Sequence, residues 1–494
     1  MGGRSLASRQ RLTLAATVIG SSLAFIDTTV VIVALPTIEQ DLGLGLTGQQ
    51  WVYLSYSLAL AAFYLVAGAV GDRFGRRATF GWGVAGFAVA SALAGAASGE
   101  AMLIVARTLQ GVAGAFVTTN SLALLRATYG PDSGRAIGLW TSFTGIVTVA
   151  GPATGGALVE WVSWRWIFFL NLPLAVATIA LARAGRCREQ MRVQSGNLDL
   201  VGAGTAAIGF GTLTYGVVEG ADNGFASVWW ALAVSAAAFA AFVVVERRIA
   251  NPLLPFALFR SRNLAMANVE TFLVYAALGG VLVYFTLYLQ FLGFSPFEAG
   301  LANVPVSIVM ILLAPKFGAL ADQRGPRLFL TAGAALIAAG ILLFLPMDTT
   351  SGFWFFGVPG LALFSLGLAC LVAPITSTAL SSAPSEFAGI ASGINQTVSR
   401  LGNLLAVAVI GLAVTLVFTG RVGEDRGVPL GAGETDPVLR DASVASFRVA
   451  MLVAAGLAVA GAFVGWFGIS DSEARARQDE TAADQAVAEP GATS

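Results

Sequence analysis

Apolar segments long enough to cross a lipid bilayer recur along almost the whole sequence. The chain has 494 residues, of which 56% are hydrophobic and only 11% are charged. A helix of roughly 20 apolar residues crosses a bilayer core about 30 Å thick. About fourteen such segments lie between charged or Gly/Pro-rich turns. One water-soluble core cannot bury this much apolar surface, so the sequence predicts an all-α polytopic membrane protein.

The loops between the predicted spans alternate in charge, which predicts their orientation. Arginines are concentrated in alternate loops, as shown by Arg73, Arg76 and Arg77 after the second span. The loops between these carry acids such as Glu100 and Asp222. Lysine and arginine are retained on the cytoplasmic side of a membrane. We therefore expect a multi-pass protein of the cell membrane with both termini in the cytoplasm. The predicted spans are residues 12–35, 51–70, 78–97, 101–125, 136–159, 165–183, 199–218, 226–245, 264–291, 299–321, 328–346, 353–380, 388–418 and 444–468.

A charged turn with regularly placed glycines occurs twice, at residues 68–77 and, in a weaker copy, at residues 318–327. Two equivalent loops indicate an internal duplication, which is typical of transporters. Equivalent loops face the same side only if an even number of spans separates them, and about eight intervene. Two bundles of about six helices, joined by two extra helices, satisfy this count. The predicted divisions are 1–190 (N-terminal bundle), 191–250 (two linking helices), 251–470 (C-terminal bundle) and 471–494 (disordered cytoplasmic tail).

The absence of histidine excludes several kinds of chemistry. With 0 histidines, the chain can form neither a Ser-His-Asp triad nor a histidine-ligated zinc site. Lys316 follows Ala314-Pro315 and lies in no phosphate-binding loop. We therefore expect no enzyme activity, no cofactor and no metal, and any proton that is moved must ride on a carboxylate. The net charge of +0 gives no reason to expect a nucleic-acid partner.

Five segments carry a family resemblance, namely residues 27–36, 68–77, 107–111, 145–156 and 164–173. In this order and spacing they resemble the fourteen-span drug/proton antiporters of the major facilitator superfamily. The resemblance covers residues 12–468 and implies a major facilitator fold that exports small molecules by alternating access, with protons as the second partner. We expect a hydrophobic or cationic substrate and a monomer surrounded by membrane lipid, while these residues leave the oligomeric state open.

Three ionisable residues are candidates for proton coupling. Asp27 and Arg107 both lie roughly 8–9 Å below the outer membrane face if the helices are straight. A buried acid beside a buried arginine can exchange an ion pair for a protonated, neutral acid, and the resemblance implies the same role. A static structural pair is the alternative. Glu270 lies about 10 Å into its span and is a further candidate, unless that span begins later and leaves it at the interface.

The repeated loop is interpreted as a latch that pairs with helix ends when the cytoplasmic side closes, and the resemblance implies this gating role. Ordinary retention of positive charge in the cytoplasm would explain Arg76 and Arg77, but not the acid and the glycines. Pro326 replaces a basic residue in the second copy, which weakens the latch there. The candidate gating residues are Gly68, Asp72, Arg73, Gly75, Arg76, Arg77 and Asp322.

Small residues in the fifth span predict a kinked helix that a neighbour can approach closely. These residues are Gly145, Gly151, Pro152, Gly155 and Gly156. In the antiporters that the chain resembles, this pattern marks exporters that exchange substrate for protons. Ordinary packing of small residues is the alternative.

Two other functions remain open. The same fold could export an endogenous lipid, siderophore or secondary metabolite, or it could serve as a transport-inactive membrane sensor or scaffold. Substrate identity, proton stoichiometry and the choice between proton and sodium coupling are not determined by these residues.

Overall fold

The structure, a computed structural model, is almost entirely helical. It describes residues 6–129, 133–185, 200–249, 256–348, 352–383, 388–423, 427–431 and 435–473, and these ranges contain no β-strand. The α-helices are α1 (Leu6–Leu42), α2 (Gly45–Phe74), α3 (Arg76–Gly95), α4 (Glu100–Tyr129), α5 (Ser133–Trp161), α6 (Trp166–Phe169), α7 (Asn171–Gly185), α8 (Leu200–Asn223), α9 (Phe225–Arg248), α10 (Arg262–Phe291), α11 (Pro296–Leu301), α12 (Val304–Arg324), α13 (Arg327–Leu342), α14 (Val358–Ser381), α15 (Ala388–Val422) and α16 (Pro437–Gly468). A 3-10 turn spans Phe256–Arg260, and a π-helical turn spans Phe353–Gly357.

Helices overlie every predicted span, and the predicted all-α membrane fold is confirmed. Within the described ranges, 10 helical segments are long and apolar enough to cross a membrane, and α13 is a shorter apolar helix. Two predicted spans are interrupted, between α6 and α7 and between α11 and α12. Pro173 and Pro305 lie in the first turns of α7 and α12. Proline is tolerated there because the first turn has no intrahelical partner for its missing N–H.

The first compact unit comprises residues 1–252, 286–304 and 418–443. Within it, α1 packs against α4, α5 and α7. Its core is built from apolar side chains of α1, α2, α3 and α4, including Leu23, Tyr56, Phe80, Phe87 and Val117. This packing surrounds α1 with helices over the stretch that carries Asp27.

The second compact unit comprises residues 253–285, 305–417 and 444–494. Glycines let α13 and α14 pack backbone against backbone within this unit. A Cβ added at Gly340 would lie 2.6 Å from the Gly360 carbonyl oxygen, and one at Gly367 would lie 2.6 Å from that of Gly333. Small residues at helix contacts are typical of membrane bundles, where close van der Waals packing drives association.

The predicted domain boundaries are not tested by this division. One unit boundary follows residue 252, close to the predicted boundary at residue 250. The predicted boundary at residue 190 lies outside the described residues, as does most of the predicted disordered tail. Residues 471–473 are described and are helical.

The two copies of the repeated loop share one backbone feature. Gly75, between α2 and α3, has φ +94°, and Gly325, between α12 and α13, has φ +100°. Residues that carry a Cβ are strained at a positive backbone φ, so glycine is needed at each turn. The sequence repeat is thus a repeat of backbone conformation.

We predict that Gly75→Ala lowers the thermal stability of the purified protein, whereas Gly81→Ala does not. A non-glycine residue held at such a φ costs on the order of 1–3 kcal/mol. Gly81 lies in α3, and a Cβ there would meet nothing within 4 Å. Thermal unfolding of both variants in detergent measures the difference. Equal unfolding temperatures would show that the Gly75 turn relaxes without cost.

Candidate functional site

A buried ion pair joins α1 and α4. Asp27 is 2% exposed and Arg107 is 0% exposed. Arg107 Nη1 donates a hydrogen bond to Asp27 Oδ2. The structure therefore brings together the acid and the arginine for which the sequence predicts the same depth in the membrane. An ion pair inside a membrane core is stable only when both charges are also hydrogen-bonded, because desolvation is costly.

Three buried polar side chains complete this pair. Gln110 accepts from Arg107 Nη1 through its Oε1 (3.0 Å), and its Nε2 donates to Asp27 Oδ1 (3.1 Å) and Ser91 Oγ (2.8 Å). Asn171 Nδ2 reaches the same two acceptors at 3.5 and 3.3 Å. The Asp27 carboxylate of α1 is thus held by side chains from α4 and α7, and Ser91 of α3 acts through Gln110 and Asn171. We call Asp27, Ser91, Arg107, Gln110 and Asn171 the Asp27 network.

Arg107 is held on its other sides by α2. Its Nε donates to the Val52 carbonyl oxygen (3.1 Å), and its guanidinium carbon lies 4.4 Å from the centroid of the Tyr56 ring. Tyr56 itself donates to the Ala24 carbonyl oxygen (2.9 Å), which ties α2 to α1. Arg107 Nη2 and Asn171 Oδ1 are buried without a hydrogen-bond partner. Among the described residues, one donor atom and one acceptor atom beside the ion pair are therefore unused.

Sequence reasoning did not assign roles to Gln110, Asn171, Ser91 or Tyr56. Gln110 and Asn171 lie within two of the segments that carry the family resemblance. Gln110 follows Arg107 by three positions, which places both on one helical face. Asn171 is the first residue of α7, and its side chain reaches Asp27. Ser91 and Tyr56 carry no sequence signal that distinguishes them from other polar residues of apolar helices.

Glu270 lies in the other compact unit, eight residues after Arg262 opens α10. It is 0% exposed, and neither of its carboxylate oxygens has a hydrogen-bond partner. Its oxygens lie against Gly465 of α16. Glu270 is thus enclosed by protein, and its depth in the membrane stays a prediction.

Three glycines of α5 lie where other chain segments approach closely. A Cβ at Gly151 would lie 2.2 Å from Thr29 Oγ1, and one at Gly155 would lie 2.5 Å from Val30 Cγ1. One at Gly156 would lie 2.4 Å from the Pro296 carbonyl oxygen. Pro152 lies inside the continuous helix α5. The surroundings of Gly145 are outside the described part of the chain.

The structure describes only some of the candidate gating residues. A Cβ at Gly68 would lie 3.3 Å from the Thr119 side chain. Arg76 and Arg77 donate to the carbonyl oxygens of Ala123 (3.4 Å) and Arg183 (3.2 Å). The side chains of Asp72, Arg73 and Asp322 lie outside the described residues, so the latch stays a prediction.

Comparison with known proteins identifies the family. The model of the Major Facilitator Superfamily matches residues 17–407. The chain belongs to the major facilitator superfamily. It is therefore a multi-pass membrane transporter of small molecules and not an enzyme, as predicted.

Resistance and export proteins are among the similar curated proteins of this superfamily. The tetracenomycin C resistance and export protein of Streptomyces glaucescens is 37% identical over 83% of this chain and 76% of its own length. The multidrug resistance protein Stp of Mycobacterium tuberculosis is 36% identical over 87% of this chain and 80% of its own. The puromycin resistance protein pur8 of Streptomyces alboniger is 30% identical over 95% and 93%.

Solved structures of other major facilitator proteins share the fold. A bacterial homologue of the human lysosomal transporter Spinster matches with a TM-score of 0.66 and 16% identity, over 97% of this chain and 99% of that one. A D-xylose-proton symporter matches with a TM-score of 0.64 and 14% identity, over 94% and 98%. At these identities the likeness concerns the fold alone.

Proposed function

We propose that this protein exports lipophilic or cationic small molecules across the cell membrane in exchange for protons, by alternating access. The buried Asp27–Arg107 pair carries the proposal, because ionisable side chains inside a membrane are costly and therefore rare, and they usually mark proton or substrate pathways. The resistance and export functions of the relatives support the direction of transport.

Protonation of Asp27 is the proposed coupling step. While Asp27 is ionised, Arg107 and Gln110 hold its carboxylate. A proton on Asp27 removes the negative charge and leaves the Arg107 guanidinium buried without a counter-charge. Such a state costs about 3–5 kcal/mol, so the protein relieves it by changing conformation. Release of the proton on the cytoplasmic side restores the pair and completes the cycle.

The gating elements of the proposal are α5 and the repeated loops. The backbone of Pro296 and Phe297 packs directly against Gly156 of α5. A Cβ added at Gly300 would lie 2.1 Å from the Pro152 carbonyl oxygen. Backbones that touch this closely can separate as rigid bodies without any side chain having to move aside. Gly68, Asp72, Arg73, Gly75, Arg76, Arg77 and Asp322 are proposed to latch the cytoplasmic side, with both termini there.

The substrate is proposed from chemistry rather than from a defined binding site. Two relatives favour a secondary metabolite as the native cargo, namely the tetracenomycin C resistance and export protein and a probable actinorhodin transporter of Streptomyces coelicolor. An exporter of such a molecule is the second candidate. A transport-inactive sensor is disfavoured because the Asp27 network is intact.

Transport by the purified protein in liposomes tests the function. With an acidic interior, we expect ethidium to accumulate in vesicles containing the protein, and nigericin to abolish accumulation by collapsing the pH gradient. A sodium gradient in place of the pH gradient is expected to drive no uptake.

Three other outcomes would change the proposal. Uptake driven by sodium alone would contradict proton coupling. Uptake of an aromatic polyketide but not of ethidium would favour the secondary-metabolite exporter. No gradient-driven uptake of either probe by folded protein would favour the sensor.

A further inference from the structure

Glu270 is an ionisable side chain that does not belong to the Asp27 network. Glu270 is 0% exposed, and neither carboxylate oxygen has a hydrogen-bond partner. Glu270 packs against two glycines of α16. A Cβ added at Gly465 would lie 3.1 and 3.2 Å from the two carboxylate oxygens of Glu270, and a Cβ added at Gly461 would lie 3.9 Å from its Cγ. Glycine offers no side-chain donor. An ionised carboxylate in these surroundings would cost many kcal/mol, so this environment fits only the neutral acid.

A basic residue, Arg327, lies one helical turn before Thr331, the residue of α13 that also packs at Gly465. A Cβ added at Gly465 would also lie 3.1 Å from the Thr331 backbone nitrogen. Thr331 Oγ1 in turn donates a hydrogen bond to the Arg327 carbonyl oxygen (2.8 Å). Arg327 stacks on Trp466, the residue after Gly465, with its guanidinium carbon 4.4 Å from the ring centroid. Its Nε is buried without a hydrogen-bond partner. Arg327 and Glu270 thus lie on α13 and α10 against adjacent residues of α16, Trp466 and Gly465.

We infer that Glu270 is a second proton-binding site and that Arg327 is its alternative partner. In the conformation seen here Glu270 is protonated and Arg327 stacks on Trp466. When the guanidinium turns from the ring to the carboxyl group, Glu270 loses its proton to water and an ion pair forms. Arg327 ends the second copy of the repeated loop, so this exchange connects proton binding to the movement of that loop.

Other charged groups near this site are already occupied. Arg262, on α10 itself, donates through Nε to the Gly468 carbonyl oxygen (2.9 Å). Asp471, just after α16, accepts from the Arg327 backbone nitrogen (3.1 Å) and holds the start of α13 in place. Arg400, on α15, interacts with Tyr275, which lies further along α10. Arg327 is therefore the cation best placed to meet Glu270.

Infrared difference spectroscopy of the purified protein tests proton binding directly. Between acidic and alkaline pH, we expect the wild type to lose the C=O stretch of a carboxylic acid that accepts no hydrogen bond. The band should be absent from Glu270→Gln and present in Asp27→Asn. Glutamine resembles the neutral acid in size and charge, so Glu270→Gln should fold. Failure of that variant to fold, or a wild-type spectrum without the band, would overturn the inference.

The role of Arg327 is tested by the pH at which the band disappears. Arg327→Gln and Arg327→Met should move this midpoint upward by about one unit or more, because the ionised carboxylate loses its partner. Arg324→Gln removes a charge from the same loop and should leave the midpoint unchanged. An unmoved midpoint in the Arg327 variants, or an equal shift in Arg324→Gln, would contradict the pairing.

The inference extends the proposed function, but the two fail separately. The infrared band reports a proton on Glu270 whether or not ethidium is carried. If the band behaves as expected and Asp27→Asn transports normally, the proposed role of Asp27 fails while the Glu270 site stands. The reverse pattern would leave Asp27 as the proton carrier and remove Glu270.

Discussion

Asp27→Asn is expected to abolish pH-gradient-driven uptake of ethidium in liposomes. Asparagine can still bond to Gln110 and Asn171, but it cannot bind and release a proton. The loss should be complete within the sensitivity of the assay, because no other carboxyl group belongs to the Asp27 network. Asp41→Asn is the matched control, since Asp41 lies on the same helix, pairs with Arg165 and has a side chain 45% exposed. A surface pair of this kind is worth roughly 0–1 kcal/mol, so the control should transport normally.

A second variant separates coupling from folding. Asp27→Asn leaves the Arg107 charge buried and unpaired, which should destabilise the protein by about 3–5 kcal/mol. Adding Arg107→Gln removes that charge, so the double variant should recover much of the thermal stability and still transport nothing in response to pH. Recovery of both stability and proton-driven uptake would show that the pair is only structural. Full uptake by Asp27→Asn alone would remove the residue from the coupling mechanism.

Gly156→Ala is expected to cause the second largest loss. The new Cβ would lie 2.4 Å from the Pro296 carbonyl oxygen and 2.5 Å from Phe297 Cα, so backbone atoms must move. Forcing apart a close backbone contact of this kind costs typically 1–3 kcal/mol, which is enough to depopulate this conformation at least several-fold. We therefore expect a lower unfolding temperature and a reduced rate of ethidium uptake.

Two glycine variants provide the comparison for Gly156→Ala. Gly211→Ala places a Cβ 3.8 Å from the Leu58 side chain, an ordinary contact, and should change neither stability nor uptake. Gly151→Ala meets Thr29 Oγ1, a side-chain atom that can turn away, and should have an intermediate effect. Normal uptake and stability in Gly156→Ala would show that α5 and the Pro296 segment need not touch during transport.

Much of the fold could be predicted because bilayer thickness and backbone chemistry leave few choices. A span of about 20 apolar residues must be a helix, since a lone strand leaves its backbone groups unpaired in lipid. The repeated loop predicted a duplicated turn, and Gly75 and Gly325 have the same positive φ. The helix breaks before Asn171 and Val304 were not predicted. Each is followed by a proline in the first turn of the next helix, and such a proline changes neither the hydropathy nor the length of the apolar segment.

The candidate site was predicted only in its charged members. Asp27 and Arg107 stand out because charge is costly in an apolar span, and their depths follow from the helical rise. Neutral polar side chains carry no such cost signal, so Ser91 and Tyr56 gave no reason to be chosen. Glu270 was visible as a buried acid, but its neighbour Arg327 was interpreted only as part of a loop.

The sequence by itself determined that this is a helical transporter of the major facilitator superfamily, with a buried acid and a buried arginine in its first and fourth spans. Only the tertiary structure decided which side chains complete the Asp27 network, which backbones α5 touches, and that Glu270 lacks a partner. The reason is physical. Hydropathy and charge act along the chain and are visible in one helix, whereas hydrogen-bond partners and backbone contacts depend on how helices distant in sequence pack together.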